Sequence, residues 1–261
     1  MNFAADRSDI SQNGQNRRRG GRRRRHTIAA AVAALLAIIV TVIVANTGEG
    51  SRSGLMIGTC DLIPGAKCPG ANLVEAELVF IDLSPSDHGV SDFSGADFTG
   101  AFLANVSLGF ALLTDANFTN ANFVDVMLSG ADLTNANLSY ADFTGVYLIG
   151  AHFANADLTN ANLAGGELAD ADLTNANLTN ANLGGADLTN ANLTNANLTN
   201  ATLKGATLTN ANLTGATIRC KTTGIGLCPL SPETGIIGTP KALPAGWTLV
   251  GGVLKAVNST P

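Results

Sequence analysis

The sequence predicts an all-β solenoid of short coils carried on one N-terminal transmembrane α-helix. Three features of the 261 residues point there. A five-residue repeat runs from Ala71 to Cys220 with an apolar residue at its centre. An eighteen-residue apolar run, Ile28 to Ala45, follows a cluster of arginines. Two equally spaced cysteine pairs, Cys60/Cys68 and Cys220/Cys228, bracket the repeat.

The net charge of −5 conceals a strong asymmetry. Residues 1–26 carry eight Arg against Asp6 and Asp9, a balance of +6, in a polar setting that cannot bury a core. This predicts a disordered basic cytoplasmic tail. Residues 27–46 then read as the transmembrane helix. Eighteen residues at about 1.5 Å each span roughly 27 Å, close to the hydrocarbon thickness of a bilayer. Arginines before the run and only Arg52 shortly after it set the orientation, with the tail inside and everything beyond Asn46 outside the cytoplasmic membrane. A cleaved secretory peptide, releasing a secreted chain, is the main alternative, although no Ala-x-Ala site follows. A twin-Arg export signal fits less well, because Arg24-Arg25-His26-Thr27-Ile28 lacks apolar residues directly after the arginines. A nucleic-acid-binding arm is a third reading of the arginines, and topology accounts for them without a ligand. Residues 47–59 form a linker.

From Ala71 onward each unit reads Ala-(Asp/Asn)-Leu-Thr-(Asn/Gly), clearest from Ala171 to Gly215. Every position numbered 3 or 8 is Leu, Phe or Ile, except His88. Neither a helical period nor plain alternation fits. In extended backbone the Ala and the Leu share one side while the Asp or Asn between them faces out. The Thr and Asn/Gly that follow are turn formers. Each unit is therefore a short strand plus a corner, and only a chain winding round an axis keeps every inward residue in one core.

These thirty units, residues 71–218 with their last member running to Cys220, resemble the pentapeptide-repeat family. The resemblance implies a right-handed quadrilateral β-helix with four units per coil, about seven coils in all. Residues twenty apart then stack, giving one interior column Leu73, Phe93, Leu113, Leu133 and another Leu83, Leu103, Phe123, Phe143. The stretch Ser84-Pro85-Ser86-Asp87-His88-Gly89-Val90 breaks the pattern with Pro and Gly, which suit a ladder poorly. A bulged or looped unit in the first coil is expected there, with His88 a loop residue.

A rod of this kind, roughly 36 Å long at strand spacing, separates its ends too far for one disulfide to join them. Local bridges Cys60–Cys68 and Cys220–Cys228 remain, suited to an oxidising compartment. They are expected to staple an N-terminal cap at 60–70 and a C-terminal cap at 219–261, since a solenoid needs covered ends. Free thiols are the alternative if the topology is wrong. In the second cap, Leu243 to Val250, then Gly251-Gly252, then Val253-Leu254 reads as a short hairpin. Its Leu-Pro-Ala-Gly-Trp-Thr-Leu run resembles segments accompanying pentapeptide repeats in some family members. Trp247, the sole Trp, is expected over the last coil.

Twelve Asp and three Glu against Lys204 give residues 71–218 a charge of −14. Some members of the family resemble B-form DNA in shape and charge and bind DNA gyrase. That is one alternative function, a nucleic-acid mimic acting on a topoisomerase, although gyrase is cytoplasmic. Acidity also keeps a rod soluble. No catalytic set is visible: His26, His88 and His152 are scattered over tail, loop and rod. No enzyme, cofactor, metal or nucleic-acid partner is expected. Outward positions in the first half of the repeat carry Phe102, Leu112, Met127 and Tyr147, with Phe110 and Ile149 at or beside corners. Clustered, they would form an interaction patch for an unidentified protein or for a homodimer. The reading is thus a membrane-anchored, extracytoplasmic, non-enzymatic scaffold or interaction rod. A repetitive Thr face for ice or a polymer (Thr114, Thr134, Thr174, Thr194, Thr214) is a further alternative.

Overall fold

The computed structural model describes residues 55–57, 60–218, 238–250 and 253–257, all within the compact unit Gly54–Pro261. The arginine-rich tail, the 27–46 apolar span, the Cys220/Cys228 pair and Asn258 onward lie outside the described residues. No helix among the described residues is long and apolar enough to cross a membrane.

The repeat winds as a solenoid of parallel coils. Residues pair with partners twenty positions on, as in Leu112↔Asp132, Asn137↔Asp157 and Glu167↔Asp187, so four units complete each turn. Only the early coils extend into longer strands: β3 (Glu77–Val79), β4 (Phe102–Ala104) and β5 (Asn122–Val124) form one parallel sheet. Ladder and turn take four of the five backbone donors of a unit, as the 111–115 unit illustrates. The N–H of Leu112 donates to Ser91 O in the preceding coil, and those of Leu113 and Asp115 donate to Asp132 O and Thr134 O in the next. The N–H of Ala111 closes a turn onto Leu108 O at 3.1 Å. Apart from Pro85 and Val90, the fifth residue of each described unit takes φ near +60°, for example +58° at Asn175, as the third residue of a type II turn must. Asn and Gly dominate that position because they enter the left-handed region most cheaply.

Inside, Ala and Leu/Phe columns are essentially inaccessible to solvent. Phe98 stacks on Phe118 with centroids 4.5 Å apart, and Phe123 on Phe143 at 4.2 Å. Each buried Leu or Phe is worth roughly 1.5–3 kcal/mol before conformational entropy, so the ladder is the main source of cohesion.

The first coil differs from the expected stacking. Its pairings run twenty-five residues, Asn72↔Asp97, Glu77↔Phe102 and Asp82↔Ser107. Leu73 therefore lies over Phe98 and not Phe93, and Leu83 over Leu108 and not Leu103. The cause is the unit around His88, which leaves the ladder as a tight excursion closed by Ser86↔Gly89. Ser91 then re-enters at an alanine position, fully buried, its hydroxyl donating to Leu83 O at 2.7 Å. That bond replaces the backbone turn bond which the excursion removes. The loop folds back onto the cap: the N–H of Gly65 donates to Ser84 O, and the Ser86 hydroxyl donates to Pro64 O. A side chain at position 65 would sit 2.6 Å from Ser86 Oγ and 2.9 Å from Gly89 O, so glycine is required there.

Both ends are covered. At the start, β1 (Leu55–Ile57) pairs antiparallel with β2 (Cys60–Leu62), and Cys60 is bonded to Cys68 across a Cα separation of 5.3 Å. Cys60, Leu62, Ala66 and Cys68 join the continuous core. At the far end the chain returns as Asn212↔Ala242 before the hairpin of β6 (Trp247–Val250) and β7 (Val253–Ala256). Leu254 is buried, and half-buried Leu243, Trp247 and Leu249 pack against the core.

Candidate interaction surface

The ladder leaves one backbone donor per unit unused, the N–H of the Thr position. The outward Asp or Asn two residues earlier captures it. Thr159 donates both its N–H, at 3.0 Å, and its hydroxyl, at 2.5 Å, to Asp157 Oδ1. One coil on, Asn177 Nδ2 donates to Asp157 Oδ1 at 3.1 Å and to Thr159 Oγ1 at 2.8 Å. The same knot recurs at Asp97, Asp142 and Asp172. Most outward Asp and Asn are therefore structural. In the Thr column, the hydroxyls of Thr174, Thr194 and Thr214 donate to Asp172, Asn192 and Asn212 in the same knots.

Four outward columns run the length of the rod, and acid placement along them follows a rule. Face one reads Asp92, Leu112, Asp132, His152, Asp172, Asn192; face two, Asp97, Asn117, Asn137, Asp157, Asn177; face three, Phe102, Asn122, Asp142, Asn162. On these faces no two acids are direct neighbours, and amides often sit between them. Face four reads Ser107, Met127, Tyr147, Glu167, Asp187, Thr207, with no Asn in it. There Glu167 stands directly beside Asp187.

Met127 and Tyr147 are paired neighbours, half exposed at 50% and 43%. Neither side chain can capture the adjacent N–H as an Asx oxygen does, so the knot is given up in two successive coils. Ile149 lies beside them on the corner bounding face four, exposed at 43%. Phe110, on that same corner one coil below Gly130, lays its ring over Gly130: a β-carbon there would fall 2.5 Å from the Phe110 ring. These four residues form a strip along one edge.

The other residues singled out in the sequence do not join it. Leu112 is half-buried across the corner on face one, between Asp92 and Asp132. Phe102 belongs to face three, half-buried between Glu77 and Asn122. Sequence reasoning also passed over Phe80 and Tyr140, exposed at 72% and 61% on two other corners. Their signal was an aromatic at a position where φ is positive, +55° and +61°. His152 is exposed on face one, and His88 is exposed on the excursion. At the N-terminal cap a recess is lined by Ile57, Cys60, Lys67, Cys68 and Asn72. Its one cation, Lys67, donates to Val90 O at 2.6 Å. Among the described residues no cluster of His, Cys, Asp or Glu is placed to hold a metal ion.

Solved structures similar to this chain include HetL, a pentapeptide repeat protein involved in heterocyst differentiation regulation from the cyanobacterium Nostoc sp. strain PCC 7120. It is 27% identical, with 59% of this chain and 88% of that chain covered, at a TM-score of 0.32. Full-length QnrB1, a plasmid-mediated fluoroquinolone resistance protein, is 17% identical over 59% of this chain and 84% of its own, at a TM-score of 0.36. A pentapeptide repeat protein from the Arabidopsis thaliana thylakoid lumen is 29% identical over 47% and 68%, at 0.16. No curated protein matches the chain. The family model for pentapeptide repeats matches in eight copies, over residues 91–126, 127–165, 156–195, 167–205 and 191–219. With its five-residue period, four-sided coils and this family match, the chain is a pentapeptide-repeat protein.

Proposed function

We propose that this chain is a membrane-anchored, extracytoplasmic and non-enzymatic rod that presents a protein-interaction surface. The observation that carries the interaction is the face-four strip. There the repeat gives up structural Asx residues in consecutive coils and sets apolar side chains in water instead. The arginine asymmetry around the 28–45 run and the Cys60–Cys68 bridge support the location. The test is protease access on intact cells, with a tag at each end of the chain. Loss of the C-terminal tag with retention of the N-terminal one is expected; a protected C-terminal tag would overturn the anchored-outside reading.

The charge of −14 over residues 71–218 favours a second reading, an acidic nucleic-acid mimic acting on a DNA topoisomerase. A supercoiling assay with purified gyrase decides it. Inhibition or protection at micromolar chain would support mimicry, and no effect would remove it.

A further inference from the structure

We propose that the face-four strip binds an extended, cationic protein segment bearing an apolar anchor, lying lengthwise along the rod. The inference rests on the reading of the rod as an interaction surface and names what that surface takes. One column carries the whole signal: Met127 and Tyr147 are followed directly by Glu167 and Asp187. Phe110 and Ile149 broaden the apolar end. Glu167 is exposed, Asp187 accepts from Thr189 through Oδ1, and Asp170 on the adjoining corner, whose Oδ1 accepts from Asn190 Nδ2 at 3.0 Å, adds a third carboxylate at the acidic end.

Elsewhere along the columns acids are set apart, and several are tied up by the amide one coil on. Among the described residues, Glu167 and Asp187 alone are acidic neighbours along a column, so the negative field is concentrated where the apolar strip ends. Complementarity therefore asks for Lys or Arg a short distance from an apolar side chain. Tyr147 to Asp187 is two coils, roughly 10 Å at strand spacing, or about three residues of extended chain. A second copy of this protein fits poorly. It would bring another acidic rod against the same carboxylates, and four apolar side chains fall far short of the roughly 20–30 residues per side of a stable interface.

The experiment uses the detergent-solubilised full-length chain and a fluorescent probe peptide, Gly-Phe-Ser-Lys-Lys-Ser-Gly, read by anisotropy. Companion peptides replace Phe by Ser, or both Lys by Glu. Two double variants, Met127→Asn with Tyr147→Asn and Glu167→Asn with Asp187→Asn, install the residue that the repeat uses at neighbouring outward sites, so folding is retained. Asp157→Asn on face two is the control. Saturable binding of the Phe/Lys peptide alone is expected, weakened about tenfold by each double variant, as loss of an interface anchor produces, and untouched by Asp157→Asn. No saturable binding below about 1 mM, where binding free energy is already small, would overturn the proposal. So would equal binding of the peptide lacking Phe, which marks general attraction to an acidic rod. A dimer in sedimentation equilibrium that Tyr147→Asn dissolves would assign the strip to a second copy and also overturn it. None of these outcomes bears on topology, which protease access on cells decides separately.

Discussion

Asp157 shows how much one outward residue can carry. Its Oδ1 accepts from a backbone N–H, a hydroxyl and an amide of the next coil. Asp157→Ala removes all three acceptances and should cost about 1–3 kcal/mol in urea unfolding. Asp87→Ala, on the exposed excursion, should stay within about 0.5 kcal/mol. Replacing Met127 and Tyr147 by Asn restores two captures, so that double variant should be at least as stable as the parent while losing its binding. A melting temperature lowered by several degrees would contradict the view that these residues serve recognition and not packing. Asp82 adds a pH dependence. The hydrogen bonds from Ser84 hold its carboxyl below the ordinary 3.8. Its contribution is present above the unfolded-state value and is lost as pH falls through the lower folded value. The stability gap between the parent and Asp82→Ala should therefore narrow as the solution is acidified below pH 3.8, and it should be small because the group is exposed. A gap that widens with acid would refute that assignment.

At the scale of the element, the excursion at Ser84–Val90 separates what the sequence displays from what it hides. The poor fit of Pro85, His88 and Gly89 to a ladder was legible, and so was the Gly-Gly hairpin after Trp247. The twenty-five-residue pairing of the first coil was not. Five extra residues leave a five-residue period intact, so inward positions keep their numbering while every stacking partner shifts by one unit. Only long-range pairing reveals which unit has left. Phe102 and Met127 both lie beyond the excursion, where the twenty-residue register holds, and a corner separates their faces. Deleting residues 86–90 together with Pro85→Gly should leave the solenoid folded, because the ladder already closes across the gap and glycine supplies the positive φ that proline cannot take at a corner; an Ala at position 91 would then suit the restored turn. The cleanest readout is circular dichroism with a thermal melt. Collapse of the fold would mean that the excursion holds the cap in place. Reduction of Cys60–Cys68 should cost roughly 2–3 kcal/mol, as expected for a short loop. Hydrogen exchange should then accelerate near the N-terminal cap first, because a linear array loosens from its ends.

The whole molecule joins three kinds of information that the sequence carries unequally. Core positions are plain because burial repeats every five residues. The apolar edge is half legible: Met127 over Tyr147 follows from coil arithmetic, but Phe110 lying over Gly130 depends on a glycine in the adjacent coil. Location rests on charge asymmetry outside the described residues, so it calls for a direct chemical test. If the rod stands outside the cytoplasm, its cysteines are oxidised in growing cells. Acid-quenched cells treated with a maleimide mass tag before and after reduction measure this in one gel. The account predicts no tagging before reduction and four tags after it, with peptide mapping that yields Cys60–Cys68 and Cys220–Cys228. Four free thiols in quenched, unreduced cells would contradict an extracytoplasmic rod.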